Sequence, residues 1–148
     1  MKVGITFSTF DLFHAGHVKM LEEAKLQCDY LIVGLQLDPS INRPEKNGPS
    51  QSIIERYIQL KGSKHIDEIV PYVSEQDLED ILRSFKLDVR IIGEEYKEKK
   101  YTGRDYCEEK GIEIYYNSRN HRFSSSKLRK HVKNIEDKQV KNDRNSSR

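Results

Sequence analysis

The stretch Thr6-Phe7-Ser8-Thr9-Phe10-Asp11-Leu12-Phe13-His14-Ala15-Gly16-His17 carries most of the information in this chain of 148 residues. An apolar run that begins at Lys2 leads into it, and an amphipathic segment with Val18, Leu21 and Ala24 follows it. This order predicts a strand, a tight turn and the first turn of a helix. Because the backbone N–H groups at a helix start point outward and carry partial positive charge, the turn is suited to binding an anion such as phosphate.

The remainder of the chain alternates short apolar runs with amphipathic segments. Further strands are predicted at residues 30–35, 68–73, 89–93 and 112–116. Ser52 with Glu55 forms a capping-box pattern, and Ser74 with Asp77 predicts a second helix N-cap. Strands that alternate with helices predict an α/β domain, in which a five-stranded parallel sheet has helices on both faces. In such sheets, ligands bind beyond the carboxyl ends of the strands, where the strand order reverses.

Length and composition narrow the class of protein. We expect one domain at residues 1–133 and a polar, disordered tail at residues 134–148. The net charge of +2 argues against a dedicated nucleic-acid-binding protein. Cys28 and Cys107 lack metal-type spacing, so we expect free thiols in a reducing cytoplasm. No apolar run approaches the roughly 18 residues of a membrane-spanning helix, and the first residues predict a strand rather than a signal peptide.

The segment His14-Ala15-Gly16-His17, preceded by Thr9-Phe10-Asp11, resembles the HxGH signature of the nucleotidyltransferase superfamily. Further segments match that superfamily in the same order across residues 2–132: Glu55-Arg56, residues 65–71, Ile91-Ile92-Gly93 and residues 124–128. HxGH alone is a weak pattern, but the ordered set is specific and is most similar to cytidylyltransferases of the glycerol-3-phosphate type. The resemblance implies a Rossmann-like (HUP-like) sheet in which the first and fourth strands are neighbours. The histidine turn and the loop after Gly93 would then face one cleft.

The resemblance also implies a reaction. Such an enzyme transfers CMP from CTP to a phosphate of a small acceptor and releases pyrophosphate, with Mg²⁺ as cofactor. Since the acceptor oxygen is already an anion, the protein must mainly offset repulsion between anions and stabilise charge on the phosphoryl oxygens. Glycerol 3-phosphate is the first acceptor to consider. Ethanolamine phosphate, a sugar phosphate and a phosphorylated amino-acid derivative stay open.

Three groups of residues are implied by the resemblance. The catalytic group contains His14, His17, Lys46 and Arg119. The nucleotide-binding group contains Thr9, Phe10, Gly16, Gly93, Glu94, Ser124, Ser125 and Ser126. The acceptor-binding group contains Asp11 and Arg56, and no resident metal site is predicted.

Several of these residues have structural alternatives. The two histidines could be ordinary turn residues or metal ligands, although no Cys, Asp or Glu cluster completes a metal shell. Asp11 could hold Mg²⁺, orient a histidine or anchor the turn. Arg56 lies near a helix start, where a cation is unfavourable, which predicts an anionic partner, either a substrate phosphate or Glu55. Lys46 could be a solvated surface residue, Thr9 a turn cap, and the serine cluster a simple helix N-cap.

Two other functions stay open on the sequence alone. An adenylyltransferase would share the phosphate-binding elements and use ATP on a sugar phosphate or a similar acceptor, although the short chain and its overall likeness favour CTP. A nucleotide-binding protein without turnover is the alternative of another class. A homodimer is expected by analogy with the family only.

Overall fold

A computed structural model describes residues 1–118 and 125–146. Its centre is a five-stranded sheet in which all paired strands are parallel. The strands are β1 (Val3–Ser8), β2 (Tyr30–Gln36), β3 (Glu68–Tyr72), β4 (Val89–Gly93) and β5 (Glu113–Asn117). The helices are α1 (Ala15–Leu26), α2 (Ile53–Lys61), α3 (Glu75–Ser84), α4 (Arg104–Lys110) and α5 (Ser125–Ser146). Among the described residues, no helix is both long enough and apolar enough to cross a membrane. The predicted α/β fold with a parallel sheet is confirmed.

The strand order is β3-β2-β1-β4-β5. β2 and β3 therefore lie on one side of β1. The chain then crosses to the other side of β1, where it forms β4 and β5. Thr6 on β1 is the register partner of Ile91 on β4, so the carboxyl ends of these two strands lie side by side. This neighbour relation, implied by the family resemblance, is confirmed. It places the switch point of the sheet at the end of β1, where ligands bind in open α/β sheets.

Apolar side chains cover both faces of the sheet. On one face, α1 and α2 contribute Leu21, Ala24 and Leu60 to a buried cluster. On the other face, α3 contributes Leu78 and Leu82 to a second cluster, which α4 completes. Because successive strand residues point to opposite faces, central strands buried on both sides are apolar throughout. We call these the α1/α2 face and the α3/α4 face.

Both serine-based helix caps predicted from the sequence are present. Ser52 Oγ accepts a hydrogen bond from the Glu55 N–H at 3.1 Å, and the Glu55 carboxylate accepts one from the Ser52 N–H at 3.4 Å. Ser74 and Asp77 make the same reciprocal pair before α3, at 3.0 and 3.1 Å. Gly111 ends α4 with φ 70°, a left-handed conformation that favours glycine.

The last helix is longer than the sequence predicts. A disordered tail is expected from residue 134, whereas α5 continues through Ser146. Residues 125–146 contain no proline or glycine, and their long polar side chains are good helix formers. Gln139 Nε2 also donates to Asp143 Oδ1 at 3.0 Å, one turn further on. Scarcity of apolar residues argues against burial of this segment, but it does not argue against an exposed helix.

Gly34 on β2 leaves room for an aromatic ring on the α3/α4 face. Phe7 on β1 is its register partner, and a Cβ atom at position 34 would lie 2.2 Å from Phe7 Cδ1. Phe7 packs edge-on against Tyr72 of β3, with the ring centroids 5.6 Å apart. The absence of a side chain at position 34 therefore fixes where the Phe7 ring lies.

We expect Gly34→Ala to lower the free energy of unfolding by about 1–3 kcal/mol, because the added methyl group overpacks the site and displaces Phe7. Urea unfolding followed by circular dichroism measures this change. Gly62→Ala is the matched control, since Gly62 has φ −77° and its Cβ would lie 3.4 Å from the Gln59 carbonyl oxygen. Equal stability of the Gly34 variant and the wild type would contradict the packing described.

Candidate active site

A cavity of about 260 Å³ opens at the carboxyl edge of the sheet. Every strand contributes to its wall: Ser8 from β1, Gln36 from β2, Tyr72 from β3, Gly93 from β4 and Asn117 from β5. The cavity therefore lies where the fold predicts ligand binding.

The two histidines cap the N-terminus of α1 beside this edge. His14 is the N-cap residue, and its Nδ1 accepts a hydrogen bond from the Gly16 N–H at 2.9 Å. His17 Nδ1 accepts one from the His14 N–H at 3.2 Å. The imidazole rings stack, with centroids 4.0 Å apart. The predicted helix start is confirmed, with imidazoles in the roles that serine and glutamate usually fill in a capping box.

These hydrogen bonds determine where each neutral imidazole carries its proton. A ring nitrogen that accepts from an N–H has no proton of its own, so the proton of the neutral ring is on Nε2. Both Nε2 atoms are then N–H donors, which is the kind of group that stabilises negative charge on phosphoryl oxygens. The Gly16 N–H, which the sequence assigns to a nucleotide phosphate, donates to His14 in this structure.

The turn between β1 and α1 holds two non-glycine residues in the left-handed region. Phe10 and Leu12 both have φ 51°, a conformation that costs on the order of 1–3 kcal/mol per residue and needs support from its surroundings. The Phe10 ring gives part of that support, because it is buried in the α1/α2 cluster at 1% exposure. Leu12 donates its N–H to Gln51 Oε1 at 2.8 Å. A nucleotide contact from Phe10 would therefore have to come from its backbone.

Asp11 ties this turn to two other segments. Its carboxylate is 4% exposed and accepts hydrogen bonds from the Ser50 N–H at 2.8 Å and the Gln51 N–H at 2.9 Å. Arg129 of α5 forms an ion pair with it. Burial raises the pKa of Asp11, but these donors outweigh burial and hold the pKa below its ordinary value of 3.8. Of the alternatives that the sequence leaves open, the structure favours anchoring of the turn over contact with an acceptor.

Arg56 is a buried cross-link, with 1% exposure. Its guanidinium donates to four backbone carbonyl oxygens at 2.6–3.2 Å, those of Thr9, Gln36, Leu37 and Gln51. The ends of β1 and β2 are thereby joined to the loop before α2. Of the two anionic partners predicted for Arg56, Glu55 instead completes the α2 cap, and the charge is stabilised by the four carbonyls and by the nearby carboxylates of Asp11 and Asp38. Arg56 therefore positions the site and is not placed to bind an acceptor.

Three other predicted residues, Thr9, Lys46 and Gly93, line the cavity. Thr9 follows β1 and Gly93 ends β4, so the strand order brings them together. Lys46 reaches the cavity from an exposed loop. Glu94 is exposed and begins a short 3-10 turn directly after Gly93.

Part of the predicted site lies outside the described residues. Arg119 and Ser124 belong to residues 119–124. Ser125 and Ser126 open α5, which agrees with the predicted helix start. The catalytic role of Arg119 and the assignment of the three serines to nucleotide binding stay predictions.

Sequence analysis missed three residues of this region. Arg90 and Tyr101 line the cavity, and Arg129 holds Asp11. The signal for Arg90 was available, since it is the charged member of a strand that reads as apolar on both faces. Arg129 gives no comparable signal, because its partner is 118 residues away in the chain.

Comparison with known proteins agrees with this geometry. Residues 5–131 match the family model described as cytidylyltransferase-like. The chain is 35% identical over 136 residues to a glycerol-3-phosphate cytidylyltransferase of Bacillus spizizenii, in an alignment that covers 91% of this chain and 100% of that relative. It is 38% identical over 106 residues to the bifunctional protein HldE of a Caulobacter species, which covers 71% of this chain and 22% of HldE.

A solved structure shares the fold. The lipopolysaccharide core biosynthesis protein from Thermoplasma volcanium matches with a TM-score of 0.67 and 23% identity, over 82% of this chain and 99% of that one. The predicted Rossmann-like architecture is confirmed, and the enzyme class is nucleotidyltransferase. Within that class, the chain belongs to the cytidylyltransferase-like family.

We expect Asp11→Asn to lower the free energy of unfolding at pH 7 by about 2–3 kcal/mol, because a neutral amide loses the charge-assisted hydrogen bonds. The folded-state pKa of Asp11 lies below 3.8, so its contribution is present above that pH and disappears as the pH falls through the folded-state value. The difference between wild type and variant in urea unfolding should therefore shrink below about pH 3.8. A difference that is constant down to pH ~2 would contradict this role. Asp80→Asn, at an exposed position on α3, is the control.

We expect Arg56→Met to lower the free energy of unfolding by about 3 kcal/mol or more, because it leaves buried carbonyl oxygens without a donor. Arg83→Met is the matched control, since Arg83 is an exposed helix residue whose only described ion pair, with Glu79, spans 3.8 Å. Its effect should stay within about 0.5 kcal/mol. Equal midpoints for the two variants in urea would rule out the cross-link.

Proposed function

We propose that this protein transfers CMP from CTP to a small phosphorylated acceptor and releases pyrophosphate, with glycerol 3-phosphate as the first acceptor to consider. The observation that carries the proposal is the pair of imidazoles capping α1 at the switch point of the sheet, each with Nδ1 engaged and Nε2 as the donor. The relative of 35% identity over its whole length supports the choice of CTP and of glycerol 3-phosphate.

In the proposed reaction, an oxygen of the acceptor phosphate attacks the α-phosphorus of CTP. The bond from that phosphorus to the bridging oxygen of the β-phosphate breaks, and pyrophosphate leaves with the bonding pair. The acceptor oxygen is already ionised, so no side chain has to remove a proton. His14 and His17 donate from Nε2 to phosphoryl oxygens, and Lys46 offsets repulsion between the two anionic substrates.

The residues behind the turn act by positioning. Arg56 holds the Thr9 carbonyl at 2.9 Å, and Asp11 holds the turn against the Ser50-Gln51 backbone. Both keep the two imidazoles at fixed places relative to the cavity. In the same proposal, Arg119 and Ser124 to Ser126 bind the triphosphate at the start of α5, while Gly93 and Glu94 lie beside the nucleoside.

Mg²⁺ enters the proposal as part of the substrate. Within residues 1–118 and 125–146, no group of three or more His, Cys, Asp or Glu side chains could hold a metal ion. Mg²⁺ is commonly bound through substrate phosphates with few protein ligands, so the ion would arrive as MgCTP and offset charge on the leaving pyrophosphate. A homodimer and a cytoplasmic location stay predictions.

The test is pyrophosphate release from CTP or ATP, with Mg²⁺ and glycerol 3-phosphate. We expect turnover with CTP, and a loss on the order of 10²–10³ in kcat for His14→Asn and for His17→Asn. Asparagine retains an acceptor near the Nδ1 position, so α1 stays capped while the Nε2 donor is lost. The variants therefore separate the chemical role from the capping role.

His65→Asn is the control, because His65 precedes β3 at the amino edge of the sheet, away from the cavity. It should keep wild-type kcat. Turnover with ATP in place of CTP would contradict the choice of cytosine as the nucleotide base, but it would agree with the proposed mechanism of phosphoryl attack. No pyrophosphate with either nucleotide across a panel of phosphorylated acceptors would refute the proposed reaction.

A further inference from the structure

Arg90 places a charge inside the protein without a counter-charge. It is 4% exposed on β4, and among the described residues no carboxylate forms an ion pair with it. Nη1 donates to the Thr102 carbonyl at 2.5 Å, while Nε is buried with no hydrogen-bond partner. Buried charges are normally paired, because desolvation without compensation costs several kcal/mol. An unpaired guanidinium that borders a cavity therefore suggests a ligand group as its partner.

The cation already lies between the aromatic rings of this cavity. The guanidinium carbon is 5.1 Å from the ring centroid of Phe7 and 5.2 Å from that of Tyr101. Both rings are half-buried, and Tyr101 lines the cavity with Arg90. Aromatic faces in a pocket are the usual binding place for a ligand ammonium group. Here the protein's own cation occupies that place.

Arg90 lies on the α3/α4 face of the sheet, on the strand next to β1. Its register partner on β1 is Ile5, a member of the cluster on that face. The histidine-capped start of α1 belongs to the opposite face; neither His14 nor His17 lines the cavity, whereas Thr9 and Lys46 do. An acceptor whose phosphate meets the α-phosphorus at this edge would extend its other end toward Arg90.

The charged residues that line the cavity are mainly basic. Arg43, Lys46 and Arg90 face a single described carboxylate, that of Glu75. Glu75 lies at the start of α3, where its N–H donates to Asn42 of the neighbouring loop at 3.0 Å. Three cations against one carboxylate give the described cavity wall a net positive charge.

We infer that Arg90 determines which acceptors the enzyme accepts: those whose end remote from the phosphate is a hydroxyl or an acid, and not those whose remote end is an ammonium group. The inference rests on the proposed function and narrows its acceptor class. A guanidinium donates to hydroxyl or carboxylate oxygens, whereas it repels an ammonium group placed beside it. Polyol phosphates fit this requirement, and ethanolamine phosphate does not.

The test compares two acceptors that differ in one group, 2-hydroxyethyl phosphate and ethanolamine phosphate. The measured quantity is the ratio of their kcat/KM values with CTP, called the hydroxyl preference below. We expect a preference on the order of 10² or more for the wild type, since like charges at short range in a desolvated site are strongly unfavourable. Arg90→Gln should reduce it at least tenfold and leave the KM for CTP unchanged, while Arg90→Lys should retain it. Glutamine keeps an N–H donor at about the position of Arg90 Nε and removes the positive charge.

Arg104→Met is the matched control. The Arg104 guanidinium lies 5.4 Å from the same Tyr101 ring and also donates to loop carbonyls, but it is not part of the cavity wall. It should keep the wild-type hydroxyl preference. A wild-type preference near 1, or an unchanged preference in Arg90→Gln, would overturn the inference.

Equilibrium binding measurements test the role of Arg90 separately from the proposed reaction. The affinities of the two acceptors, measured by calorimetry without nucleotide, give a hydroxyl preference that does not need turnover. Absence of turnover with all nucleotides would refute the proposed reaction, and the binding ratio would still decide the role of Arg90. Turnover with equal use of both acceptors would refute the role of Arg90 alone.

Discussion

The structure of the site depends on a buried arginine that binds backbone and no acid. Arg56 joins the carbonyl after β1 to two carbonyls at the end of β2 and one before α2. Each of these segments ends at the carboxyl edge of the sheet, where regular ladder hydrogen bonds stop and carbonyl groups need other donors. One planar side chain with five N–H groups can satisfy several of them at fixed angles. The edge is therefore rigid at the place where the catalytic turn begins.

That rigidity explains how the turn can keep an unfavourable backbone. Phe10 and Leu12 are left-handed, and neither is a glycine. The Phe10 ring is held by the core and Asp11 by two N–H groups, so the surrounding packing imposes the conformation residue by residue. The same conformation directs the chain into α1 with both imidazoles at its first turn. Strain in the turn and placement of the donors are thus two results of one set of contacts.

The parts that could be predicted from the sequence are those with local causes. Strand periodicity and the Ser52 and Ser74 caps each depend on residues a few positions apart, and they were confirmed. The roles of Arg56 and Asp11 could not be predicted from spacing, because their partners come from several separate segments, up to 47 residues away for Arg56 and up to 118 for Asp11. The identity of a polar residue in a functional motif is the same whether its side chain binds the substrate or the protein backbone. Burial decides between the two, and burial is a property of the folded chain.

The two arginines buried near the site illustrate that difference. Arg56 and Arg90 are exposed by only 1% and 4%, and neither forms a close ion pair with a carboxylate among the described residues. Arg56 has carbonyl oxygens around its guanidinium, so its charge is compensated without a ligand. Arg90 has one carbonyl, the Cys107 thiol, two aromatic rings and an unsatisfied Nε, so its compensation is incomplete. An uncompensated buried charge destabilises the folded protein. A buried cation with incomplete compensation beside a cavity is therefore expected to bind a ligand, whereas a fully compensated one is expected to have a structural role.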